Sequence, residues 1–151
     1  MKNLAVFKSL VDMLTLLPDD DVCRQYLESI RWNGEPVCPH CGSKSEKHYQ
    51  LKKKGEFKGQ YKWKDCRERF TVTVKSMFEG SHIGLRKWFM AMYVFSSHKK
   101  GISSHQLGRD LGITQKSAWF MLGRIRMVFE DYGTKIPKFG VMSADECFVG
   151  G

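Results

Sequence analysis

Gly101-Ile102-Ser103-Ser104-His105-Gln106-Leu107-Gly108-Arg109-Asp110-Leu111-Gly112-Ile113-Thr114-Gln115-Lys116 spells out two helices meeting at a sharp corner. Ser103 or Ser104 can cap the first, because a side-chain oxygen there accepts from an otherwise orphaned amide. Gly112-Ile113 forms the corner, where glycine supplies backbone freedom that other residues lack. Thr114 caps a second helix running from Gln115 to about Glu130. Ala118, Met121, Leu122, Ile125 and Phe129 recur at helical spacing and make its apolar face. Gly108, four residues before Gly112, sits where two steeply crossing helices nearly touch. The pattern predicts a helix-turn-helix.

Gln115, Lys116, Ser117, Trp119, Arg124 and Arg126 are left facing outward or along the flanks, and their chemistry suits duplex DNA. In this motif the N-terminal part of the second helix enters the major groove. Glutamine can read adenine edges there, while lysine and arginine read guanine or hold phosphate. Charge agrees with that reading. The chain has 151 residues and a net charge of +9, unevenly spread. Residues 38–80 carry 11 basic against 5 acidic groups and residues 81–129 carry 8 against 1, whereas both ends are net acidic. A local excess of this size attracts a polyanion.

Upstream, Cys38-Pro39-His40-Cys41-Gly42 is a metal knuckle, with two thiols three residues apart and a glycine at the turn. A zinc ribbon needs a second knuckle some 20–25 residues on. The matching stretch is Tyr61-Lys62-Trp63-Lys64-Asp65-Cys66, in which Trp63 stands where a partner thiol belongs. Cys38, Cys41 and Cys66 are thus the expected zinc ligands. Closed structural sites carry four, so the expectation is a degenerate ribbon that holds zinc weakly or not at all. Cys23 falls on an apolar helical stripe and reads as core. The odd cysteine count and the lack of a secretion signal favour reduced thiols.

The remaining pattern is α+β and mostly helical. Leu4, Phe7, Leu10, Val11, Leu14 and Leu17 predict one helix, and Val22, Cys23, Tyr26, Leu27 and Ile30 a second, started by Asp19-Asp20-Asp21. Tyr49–Leu51 and Gln60–Trp63 predict a hairpin, and Phe70–Val74 a β-branched third strand. A further helix runs from Leu85 to about Lys99. A break is expected at Gly133 and Pro137, followed by the start of a strand at 139–146. No apolar run approaches the length of a membrane span. A disordered chain is excluded by the 42% hydrophobic content.

In this order the pieces resemble bacterial insertion-sequence transposases with an N-terminal zinc ribbon, a helix-turn-helix and a DDE-type, ribonuclease-H-like catalytic domain. The carriers are Arg31-Trp32 through Cys38-Pro39-His40-Cys41-Gly42, Asp65-Cys66-Arg67-Glu68-Arg69-Phe70-Thr71-Val72, Lys87-Trp88-Phe89, Lys99-Lys100-Gly101-Ile102-Ser103, Ser117-Ala118-Trp119-Phe120-Met121-Leu122 with Arg124-Ile125-Arg126, and Asp145-Glu146. The resemblance implies DNA transposition: the front domains grip the element's terminal inverted repeats, and acids on the catalytic sheet hold two Mg²⁺ ions. Asp145-Glu146-Cys147-Phe148-Val149-Gly150-Gly151 matches the stretch bearing the first of those acids, which makes Asp145 the carried-over catalytic ligand. The later acids are not in this sequence, so the expectation is a truncated, catalytically incomplete front portion. A stand-alone DNA-binding regulator derived from a transposase is the alternative. The expected divisions are N-terminal helices at 1–36, the ribbon at 37–80, the helix-turn-helix region at 81–133 and the start of the catalytic domain at 134–151. Expected partners are double-stranded DNA and a full-length homologue or a second copy, with no membrane. The expected location is the cytoplasm, at the nucleoid.

Overall fold

The computed structural model describes residues 7–42, 48–53, 55–98 and 100–135. Among these, five helices and one three-stranded antiparallel sheet give the α+β, mostly helical architecture expected. None of these helices is long and apolar enough to cross a membrane.

Local chemistry sets the helix ends. Helix α1 (Leu10–Leu16) begins at Ser9, whose hydroxyl accepts from the Asp12 amide at 3.0 Å. Helix α2 (Asp20–Trp32) begins at Asp19, whose carboxylate accepts from the Val22 amide at 2.8 Å. The next residue, Asp20, caps a helix far away in sequence. Its Oδ1 accepts from the Arg86 amide at 2.8 Å, at the start of α3 (Leu85–Ser97). The residue before α3 is Gly84, which has no side chain to cap with, and a Cβ there would lie 2.4 Å from the Asp20 carboxylate. Met13 from α1, Leu17 directly after it and Cys23 from α2 close a cluster over Phe89 of α3. The predicted stripes are not wholly buried, since Val11 and Ile30 face solvent.

The sheet follows the predicted hairpin. Strand β1 (His48–Lys53) pairs with β2 (Glu56–Trp63), which pairs with β3 (Arg69–Phe70). The third strand is shorter than its β-branched run predicts. After Phe70 the chain turns, with the Val74 amide donating to the Thr71 carbonyl at 3.2 Å. The cause is a long-range competitor for the carbonyls. The Arg31 guanidinium, from the end of α2, donates to the carbonyls of Val72, Val74 and Lys75. Trp32, Tyr61, Trp63, Phe70 and Val72 pack with Cys38 into the core of this unit. Tyr61 also donates to Glu28 of α2 at 3.2 Å. Helix α2 therefore serves both the sheet and the helical bundle, and Leu27 touches all three apolar clusters.

Helix α4 (Ser104–Leu111) and helix α5 (Gln115–Lys135) meet at the predicted corner. Ser103 caps α4 through the Gln106 amide at 3.2 Å, and Thr114 caps α5 through the Ser117 amide at 3.2 Å. Gly112 ends α4 in the left-handed region at φ 59°, which a glycine enters without strain. Gly108 is the close approach, because a Cβ there would lie 3.1 Å from the Ile113 carbonyl oxygen. Ala118, Met121, Leu122 and Ile125 are buried against Trp88, Ala91, Leu107 and Leu111. Phe129, predicted for the same face, is half exposed and rests on Phe95 with ring centroids 5.5 Å apart.

Helix α5 runs past the predicted break at Gly133 to Lys135. One interior glycine costs only about 1 kcal/mol, too little to stop a capped helix of this length. Pro137 and the predicted strand at 139–146 lie outside the described residues. Gly123 is exposed on α5, with nothing within 4 Å of where a Cβ would sit. Gly123→Ala is therefore expected to stabilise the chain by up to about 1 kcal/mol, seen as a raised urea midpoint.

Candidate functional site

The first knuckle is built by a tight turn in which the Gly42 amide donates to the Cys38 carbonyl at 2.9 Å. Gly42, after Cys41, takes φ 70°, and Arg67, after Cys66, takes φ 58°. Each knuckle is thus followed by a left-handed residue, although arginine replaces glycine at the second. The sequence hides this symmetry, because arginine carries no local signal for a left-handed backbone.

Together the knuckles bring Cys38, Cys41 and Cys66 into one cluster, with all three sulfurs within 4.8 Å of one another. The Cys38 and Cys66 sulfurs are 3.6 Å apart. Two thiolates sharing one tetrahedral zinc at about 2.3 Å would stand about 3.8 Å apart, so the spacing and the donor set both fit the ion. Burial pushes the Cys38 thiol up, but amides of Cys41 and His40 and the neighbouring thiols more than offset it and hold Cys38 below the usual range. The Glu68 amide pulls the Cys66 thiol down, while burial and the two adjacent cysteines outweigh it and leave Cys66 raised. Zinc held here would be ligated by Cys38, Cys41 and Cys66 and would lock the two knuckles together, a structural contribution.

Trp63 stands at the fourth position, fully buried. It stacks on His48 with centroids 5.8 Å apart and leans on Phe70 at 6.0 Å. His40 is exposed, and neither it nor His48 joins the thiol cluster among the described residues. Cys23 is remote from it, in the α1–α2–α3 core, where burial and the nearby Asp20 push its thiol up to about 11. It is a core residue, as its position on the stripe suggests.

The six residues predicted to face DNA have different surroundings. Lys116, Trp119 and Arg126 lie exposed on α5. Gln115 is also exposed, with its amide donating to the Ser104 hydroxyl at 2.9 Å. Ser117 is half-buried in the cap of α5, where its hydroxyl accepts from Thr114 at 3.0 Å. Arg124 turns inward. Its guanidinium donates to the Met77 and Glu79 carbonyls at 2.8 and 2.5 Å and lies over the Phe120 ring, 4.5 Å from the centroid. It ties α5 to the turns that follow the sheet. Asp145, with the Mg²⁺ chemistry expected there, lies outside the described residues.

Two knuckles, three converging thiols and a small antiparallel sheet define a zinc-ribbon protein. Residues 18–69 match the family described as transposase zinc-ribbon domain. That span takes in α2 as well as the sheet, in keeping with the packing of Trp32 and Glu28 on Tyr61. The chain is also 30% identical over 95 residues to an uncharacterised protein in transposable element ISH50 of Halobacterium salinarum. The alignment covers 62% of this chain and 30% of that relative. No solved structure matches. The chain is a transposase-related protein with a zinc-ribbon domain, and its resemblance to the N-terminal region of insertion-sequence transposases is upheld by both matches.

Proposed function

We propose that this chain grips double-stranded DNA at the ends of a mobile element, as the DNA-binding portion of an insertion-sequence transposase. The carrying observation is the outward face of α5, where Lys116, Trp119 and Arg126 stand exposed on a segment rich in bases and nearly free of acids. In this reading α4 and α5 act as a helix-turn-helix. Lys116, beside the capped N-terminus of α5, meets base edges or phosphate in the major groove. Arg126 lies ten residues along the helix, about 15 Å away, and reaches the phosphate backbone instead. Trp119 lies between them. Gln115, held by Ser104, offers a pre-oriented amide. Strand cleavage and joining belong to the catalytic domain that the resemblance implies. There Asp145 would hold Mg²⁺ together with further acids.

Gel-shift titration on element-end duplex at several salt concentrations tests the reading. Affinity should fall steeply with salt. Lys116→Ala should weaken binding across all sequences and lower the salt slope by about one. Binding that is absent, or indifferent to salt, overturns the proposal. Arg124→Ala provides the contrast. It removes charge-assisted hydrogen bonds to the Met77 and Glu79 carbonyls, the first of them partly buried, so it should cost about 2 kcal/mol in urea unfolding and leave the salt slope of the folded protein unchanged.

A further inference from the structure

We propose that the metal held by Cys38, Cys41 and Cys66 keeps one coordination position for a ligand from outside the chain, a small thiol or an imidazole. The inference concerns the ribbon alone and does not depend on whether α5 enters DNA.

The argument begins with the second knuckle. Like the first, it has a left-handed residue directly after its second cysteine position, Arg67 here and Gly42 there. It presents Cys66 to the cluster, with its sulfur 3.6 Å from that of Cys38. What differs is the side chain three residues earlier. An indole has a ring N–H that can donate but no lone pair with which to bind a cation. Trp63 occupies that position with no exposure at all, and its indole nitrogen has no hydrogen-bond partner among the described residues. It contributes apolar packing to the core beneath the thiols, between His48 and Phe70.

No histidine or carboxylate among the described residues makes up the missing donor. The group with mutually close ligand atoms comprises only the three cysteines. Zinc bound by three thiolates carries a net charge of −1, and four-coordinate zinc then has one position to fill. Among the described residues the route in is open. Cys38 is buried, but Cys41 is exposed and Cys66 half-exposed, so the cluster reaches the surface on the Cys41 side. Soft thiolates and imidazoles are the small donors that a zinc–thiolate site accepts.

The test uses the full chain loaded with Co²⁺ in place of zinc and followed by visible absorption. Titration with 2-mercaptoethanol, and separately with imidazole, is expected to shift the ligand-field bands saturably at one equivalent of cobalt per chain. Trp63→Cys supplies the missing thiolate. It should abolish the response and tighten metal binding at least tenfold in chelator competition. Trp63→Phe, which keeps the apolar packing and adds no donor, should respond as the parent does. The parent's response decides the matter even if Trp63→Cys fails to fold. A parent spectrum indifferent to both additives overturns the inference, since a group of the chain itself then closes the site. Failure of the parent to bind one cobalt overturns it as well. Neither result bears on DNA binding by α5.

Discussion

Trp88→Ala is expected to destabilise the protein by about 3–5 kcal/mol, the range for emptying a large aromatic site in a core. Trp88 has no exposed surface, and its ring meets Phe78 edge-on with centroids 5.5 Å apart. Its indole N–H donates to the Ser81 hydroxyl at 2.9 Å, a bond that alanine removes, leaving the hydroxyl with the Ile83 amide as donor. The position matters because α3 is shared. One side of it, with Trp88 and Ala91, supports α4 and α5, while Phe89 closes the core made by α1 and α2. Loss of the indole should thus loosen both halves of the bundle together. Urea unfolding followed by far-ultraviolet circular dichroism measures the loss. Ser81→Ala removes the indole hydrogen bond together with the one from the Ile83 amide, and should cost only about 2 kcal/mol. A Trp88→Ala loss no larger than that would mean the core closes over the gap.

Cys38→Ser is expected to lower zinc affinity by more than about 100-fold, since even outer-shell partners of a metal site are worth about 10–100-fold. Cys38 is the most buried of the three thiols, and the amides of Cys41 and His40 help to hold it below its usual range. Chelator competition on the purified protein reads the change. The apolar cluster around Trp32, Tyr61, Trp63 and Phe70 remains when the metal is lost, so the sheet should be weakened rather than abolished. Cys23→Ser is the matched control. Its thiol lies in another core and is pushed up to about 11, and its replacement should leave zinc stoichiometry unchanged. Zinc affinity that survived Cys38→Ser would remove the ribbon reading of the cluster.

Much of this architecture is legible along the chain because the interactions that specify it are short-ranged. Ser9, Asp19, Ser103 and Thr114 each cap a helix through an amide three residues on. Gly112 and Gly108 shape a corner between helices only a few residues apart. The Cys-X-X-Cys spacing prepares half of a metal site within a single turn. Where the reading fell short, a distant group intervened. Phe70–Val74 has the residues of a strand, yet Arg31, more than 40 positions away, takes the carbonyls that a strand would have paired.

Sequence periodicity and spacing by themselves determined the five helices, the hairpin, the buried face of α5 and the identity of the three thiols. These follow from dihedral preferences, caps and helical repeats that operate within about four residues. Only the tertiary structure decided what the long side chains do. It turned Arg124 inward to carbonyls 47 and 45 residues away, leaving Lys116, Trp119 and Arg126 on the open face. It made Asp20 the cap of α3 and carried Cys66 to within 3.6 Å of Cys38. A long charged side chain has many reachable partners, and its choice depends on which carbonyls the packing of remote elements leaves unpaired.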